Sequence, residues 1–234
     1  MDAKDRNPYK ACDRAIKAMN RDSLKDFGML KLLKSDQVNI IQAVTETYRR
    51  SRRKAVQQYY EVAFESYLLG LMMSGIDTVV AHWEAEKAIT REWIEKVLQE
   101  IDFVTLYSFD AEMERKAQKL AEILIAADGK PGAGIIGRGA ETGRPVVDRN
   151  TQIDRALKEW SRQLGQYAIN FTDYAITQAM DDAGIKKAMW VTEQDERVCH
   201  DCRVLDGRIF LLDEFPPKPH LGCRCRRVPV LDEE

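Results

Sequence analysis

The chain of 234 residues carries 36 Lys and Arg against 38 Asp and Glu, a formal net charge of −2. That balance excludes a global electrostatic case for nucleic-acid binding, so any such contact has to be local. With 44% hydrophobic and 32% charged residues, the composition fits a soluble, helix-rich protein of one or two domains, long enough for a core.

Residues 1–25 are charged throughout (Asp2, Lys4, Asp5, Arg6, Lys10, Asp13, Arg14, Lys17) and hold no apolar signal-peptide core. The longest uncharged apolar-rich run, Ser66 to Ile76, is eleven residues, too short to span a bilayer. The expectation is a protein with no membrane partner.

Residues 1–34 are mixed: Cys12, Ile16 and Met19 can share one side of a short helix, and Phe27-Gly28-Met29-Leu30 breaks the pattern. Cys12 stands alone as a small apolar residue. Ser35 and Asp36 offer N-caps for the longest helical signal, 36–74, which would extend about 58 Å if unbroken. Its apolar stripe Val56, Tyr60, Phe64, Leu68 and Leu71 is too extended for a small domain to cover, which predicts packing against another chain.

In the middle of that helix stand Arg49, Arg50, Arg52, Arg53 and Lys54, five cations in six positions. They wrap around a helix rather than line one face, which favours a solvated girdle with Glu46 over a DNA-contacting strip. Asp77, Thr90 and Asp110 are expected to cap three further helices, and Phe103 to Phe109 reads as strand or connector.

Residues 129–149 are the breaker, with six glycines and with Pro131 and Pro145. Gly132-Ala-Gly134-Ile-Ile-Gly137 matches a dinucleotide-binding string, but a helix precedes it and no strand feeds it, so a flexible or partner-ordered loop is expected. Asn150 or Thr151 then starts a long amphipathic helix that ends near Asp182-Ala-Gly184. Ala188 to Thr192 reads as a strand, and Leu205 to Leu211 as an Asp-Gly turn with a second strand.

Four of the five cysteines and two of the three histidines fall within 27 consecutive positions. Cys199-x2-Cys202 is followed by His220-x2-Cys223-x-Cys225, two chelating groups across a loop of zinc-ribbon length. Cys199 and Cys202 form one ligand pair, Cys223 is a third ligand, and His220 or Cys225 is the fourth; His200 points outward. A closed site of this kind holds a structural Zn2+, and two disulfides are the competing reading. The pattern lacks the strand-to-helix setting of a thioredoxin-like CxxC, and no HExxH or GxSxG occurs, so no enzyme is expected; a thiol oxidoreductase is the remote alternative.

The string around these cysteines (Trp190, Asp195, Arg197, Cys199, Cys202, Asp206, Gly207, Pro217, His220, Cys223, Arg224, Cys225) resembles the C-terminal domain of phage Mu F-like head-morphogenesis proteins. The resemblance covers roughly 186–230 and implies a structural minor head protein of a tailed phage or prophage. Such a protein would act in capsid assembly at or near the portal and support DNA packaging or ejection. It would partner the portal protein or major capsid protein as an oligomer in the virion, in the head interior or portal region, after residence in the bacterial host cytoplasm during assembly. The alternative is a zinc-ribbon nucleic-acid-binding protein using Arg49 to Lys54 with Arg224, Arg226 and Arg227.

The expected fold class is mainly α, with long helices and a small C-terminal α+β or β zinc-binding module. The expected organisation is a helical region over 1–128, the Gly-rich loop over 129–149, a long helix over 150–184 and the Cys/His module over 185–234.

Overall fold

The computed structural model describes residues 7–33, 37–100, 108–128, 148–193, 198–216, 218, 223 and 225–231. The caps expected at Ser35 and Asp36, and residues 129–147 with the GxGxxG string, lie outside these. Among the described residues the fold is mainly helical with a small C-terminal sheet, in agreement with the helix-rich composition and the strand patterns near Ala188 and Leu211.

Helix α1 spans Tyr9–Leu30. The break expected at Phe27–Leu30 is absent, because Phe27 and Leu30 continue the buried stripe of Cys12, Ala15, Met19 and Ser23. Gly28 faces open space, so it costs this helix propensity and no packing. Helix α2, Gln37–Met73, is 37 residues long, about 55 Å. Its buried stripe runs Ile40, Val44, Tyr48, Ser51, Ala55, Tyr59, Val62, Ser66, Leu69 and Met73, a helical period held without a break. The uncovered stripe expected on this helix is not uncovered: Val56 and Leu71 are buried, and Tyr60, Phe64 and Leu68 are half-buried.

Helix α3, Thr78–Ala88, is capped by Asp77, whose carboxylate accepts the Val79 and Val80 N–H groups. Helix α4, Arg91–Glu100, follows Thr90, whose hydroxyl accepts the Trp93 N–H at 3.1 Å. Helix α5, Phe109–Asp128, starts two residues earlier than expected, with Ser108 Oγ accepting the Ala111 N–H. The expected cap, Asp110, instead binds Arg52 through both carboxylate oxygens. Helix α6, Arg149–Asp182, is 34 residues long and also starts early, because Asp148 accepts the Thr151 N–H at 3.1 Å.

Three strands follow: β1, Lys187–Val191; β2, Ile209–Leu211; and β3, Arg226–Val230. The sheet order is β2-β1-β3 with both pairings antiparallel, Ala188 standing opposite Phe210 on one side and Pro229 on the other. The sequence pattern does not reveal β3, since Arg226-Arg227 and Pro229 hide its alternation. Pro229 is tolerated because β3 is an edge strand. No helix among the described residues is long and apolar enough to cross a membrane.

The chain divides into two compact units: one of Met1–Ile16, Gln58–Lys96 and Gly165–Glu234, the other of Lys17–Gln57 and Val97–Leu164. In the second unit Trp160 is the centre. It stacks on Phe109 with centroids 5.5 Å apart, meets Tyr48 edge-on at 5.2 Å, and donates from Nε1 to Ser51 Oγ at 2.8 Å. Ser51 in turn shares a hydrogen bond with Ser23 at 2.8 Å.

In the first unit Tyr59 stacks on Phe171 at 4.9 Å, and Leu69, Met73, Ile176 and Met180 pack with Ala188 of β1. Gly70 permits this approach of α2 to α6: a Cβ there would lie 2.7 Å from the Ala179 Cβ and 3.1 Å from the Ile176 carbonyl oxygen. Gly70→Val is therefore expected to cost about 1–3 kcal/mol, read as a lowered denaturation midpoint. An unchanged midpoint would show that the two helices can separate freely.

Candidate metal centre

The site is built where β1 ends. Cys199 caps α7, the six-residue helix His200–Leu205, and its Sγ accepts the Cys202 N–H at 3.4 Å. The CxxC segment forms a short helix, with the Cys199 side chain itself supplying the N-cap. His200 is exposed. The chain leaves α7 through Asp206 and Gly207, and Gly207 takes φ +75, a conformation that costs a residue with a Cβ.

That turn is latched to β1. Asp206 Oδ1 accepts the Thr192 N–H at 2.8 Å, Gly207 N donates to the Trp190 carbonyl at 2.8 Å, and Trp190 N donates to the Arg208 carbonyl at 2.9 Å. The Asp-Gly pair thus sets the position of α7 and its cysteines against Trp190.

Cys202, Cys223 and Cys225 are buried with their sulfurs within 4.8 Å of one another, the Cys202 and Cys223 sulfurs 3.5 Å apart. Cys199 packs against this cluster. None of the four is in a disulfide, which would need sulfurs about 2.05 Å apart. Four sulfurs around a zinc at roughly 2.3 Å stand about 3.8 Å from each other, so the observed spacing suits a shared cation better than a covalent bond. Trp190, Phe215, Phe210, Leu205 and Val198 close the cluster off, with Trp190 and Phe215 stacked at 5.5 Å.

Neutral thiols are costly ligands to ionise here without a cation. Burial first, then the neighbouring sulfurs, pushes the Cys202 thiol far above its ordinary range. The Cys225 thiol is pushed up to about 11, by burial first and then by Cys223, while Cys202 and the Trp190 indole N–H act the other way. Trp190 Nε1 is buried and makes no hydrogen bond of ordinary length among the described residues, so its pull on Cys225 is a long contact. A metal-bound Cys225 thiolate would give that donor an acceptor. The residues present therefore fit a metal ion, with Cys202, Cys223 and Cys225 around it and Cys199 beside Cys202. His220, the other expected ligand, lies outside the described residues.

Residues 135–228 match the family model described as Phage Mu protein F like protein. That segment is similar to the Phage Mu F-like family. The match contains α6, the three strands up to Val228, α7 and every cysteine of the cluster, so the resemblance and the geometry meet on one site. A 64-residue stretch is 42% identical to an uncharacterized protein of Haemophilus influenzae, over 25% of this chain and 14% of that protein. The chain therefore spans only a small part of that relative's length. No solved structure matches the chain.

Outside the Phage Mu F-like segment, the basic run on α2 is engaged in ion pairs. Arg53 meets Glu46 at 2.6 Å, Arg52 meets Asp110, and Lys54 meets Asp26 at 2.8 Å with the Asp26 side chain only 6% exposed. Arg49 and Arg50 are exposed. Ser51, in the middle of the run, is buried under Trp160, which is why the cations point to different sides.

A second set of residues had no signal in the sequence. Lys218 Nζ donates to Asp173 Oδ2 at 2.6 Å, to the Cys223 carbonyl at 2.9 Å and to Tyr9 Oη. Tyr9 Oη stands 2.7 Å from Asp173 Oδ1 and 3.0 Å from the Cys225 carbonyl. Burial, then Asp173, raises the Tyr9 hydroxyl well above its ordinary range, so it stays a neutral donor. Arg227 lies over the Phe215 ring at 4.5 Å and bonds Thr177. These residues are hundreds of positions apart in part, so spacing cannot reveal them.

Proposed function

We propose that the protein is a structural minor head protein of a tailed phage or prophage, acting in capsid assembly at or near the portal and supporting DNA packaging or ejection. The observation that carries this reading is the coincidence of the Phage Mu F-like match with the buried cysteine cluster. The cluster would hold a structural zinc through Cys202, Cys223 and Cys225, whose sulfurs lie within 4.8 Å of one another, with Cys199, packed against them, or His220 completing the set. Four protein ligands leave no position for water or substrate, so the ion stabilises a binding surface and does no chemistry. The partners are the portal protein or major capsid protein, and the site of action is the virion, in the head interior or portal region, after assembly in the host cytoplasm.

The test is to tag the chain in a phage or prophage that produces it and assay purified heads. The expected result is tagged protein in mature heads, copurifying with portal protein, and its loss with Cys223→Ser. In parallel, replacing Arg49, Arg50, Arg52 and Arg53 by Gln should leave incorporation largely intact. Absence from heads, with DNA affinity that falls steeply with salt and vanishes in the arginine variant, would establish the nucleic-acid-binding reading instead.

A further inference from the structure

The cysteine cluster stands on a polar clamp that reaches two helices distant in sequence. Lys218 spends its three protons on Asp173, on Tyr9 Oη and on the Cys223 carbonyl, so the ammonium is fully used. Tyr9 accepts from Lys218 and has one proton, which lies within reach of both Asp173 and the Cys225 carbonyl. The Cys223 carbonyl is thus held by Lys218, while the Cys225 carbonyl shares the single Tyr9 proton with Asp173. These contacts constrain the backbone that carries the two sulfurs.

The charges suit the same role. Lys218 and Arg227 both bring a cation close to Asp173, and the Lys218 and Asp173 side chains are only 14% and 17% exposed. A divalent ion with three or four thiolates carries a negative charge, which a surrounding positive charge stabilises in a low-dielectric setting.

We infer that Tyr9, Asp173 and Lys218 are positioning residues of the metal centre, and that they couple metal loading to the docking of the start of α1. The inference rests on the metal reading above. The clamp joins Tyr9 of α1 and Asp173 of α6 to the Cys223-x-Cys225 segment, so removing the ion loosens the segment and with it the attachment of Tyr9. Outer contacts of metal ligands commonly alter affinity by roughly 10–100-fold.

The experiment uses the full chain, purified under reducing conditions, with Zn2+ and Co2+ as the probes. Tyr9→Phe removes one hydroxyl and keeps the ring; Lys218→Met removes the ammonium; Lys218→Arg is the conservative control. Zinc transfer to a chromophoric chelator should be about 10-fold faster in Tyr9→Phe and Lys218→Met and partly restored in Lys218→Arg. The Co2+ ligand-field bands should shift in the first two variants, which a loss of global stability alone does not produce. Hydrogen exchange over residues 9–16 should rise in wild-type protein when zinc is removed. Wild-type zinc binding with unchanged transfer rates and Co2+ spectra in both variants would overturn this inference alone. Failure of the wild-type chain to bind either ion would overturn the metal reading and the inference with it.

Discussion

Cys202→Ser and Cys223→Ser proteins are expected to leave purification without metal, where the wild-type chain carries about one zinc. The loss should be complete because each position removes one of the sulfurs gathered within 4.8 Å in the buried cluster. The consequence for the fold is large. The sheet has three short strands, and the apolar residues behind the cluster are few, so a bound ion would supply stabilisation that no core replaces. Structural zinc in small modules contributes about 10–16 kcal/mol of apparent binding energy at neutral pH, more than a typical domain's net stability. Limited proteolysis should therefore cut the variants within 186–230. His200→Ala should retain the metal, since that side chain is exposed. Wild-type protein isolated metal-free, with these cysteines paired as disulfides, would overturn the assignment.

The second large effect is expected at Trp160. Trp160→Ala removes the ring that Phe109 and Tyr48 pack against and leaves Ser51 without its indole donor. The cost should be about 3–5 kcal/mol, the range for truncating a buried aromatic, with part of it from the hydroxyl left behind. Denaturant unfolding reads it directly. A loss below about 1 kcal/mol would show that the unit does not depend on this ring.

The alternation of apolar residues made the helices legible. Along α2 the buried positions from Ile40 to Met73 follow one face, and a proline-free sequence lets the hydrogen-bond ladder continue through Gly70. What was misread there was the choice of face. Val56 and Leu71 looked like an uncovered stripe and are buried, because a long helix flanked by others is covered on more than one side. Helix α5 is capped by Ser108, two residues ahead of the expected Asp110, and α6 starts at Arg149 rather than at Asn150 or Thr151 because Asp148 is its cap. Local propensity ranks these side chains almost equally, and Asp110 was taken by Arg52 from α2.

The metal-site candidates were legible because their chemistry demands rare residue types at short spacing. Cys199, Cys202, Cys223 and Cys225 stand out in any reading of this chain, as does the Asp206-Gly207 turn, whose positive φ is a local requirement. Which sulfurs approach one another, and that Cys225 joins them, depends on how β3 pairs with β1, a long-range register that no local pattern encodes. The clamp of Tyr9, Asp173 and Lys218 lies wholly on that side of the division. Each is an ordinary polar residue on its own, and only the folding of α1 and α6 onto the cysteine segment brings their polar atoms within hydrogen-bond reach. The sequence by itself thus determined the helices, the Asp-Gly turn and the pool of ligands, all set by neighbours within a few residues. The tertiary structure alone decided the buried faces, the sulfur cluster and its polar support, because those depend on chain segments meeting across long separations.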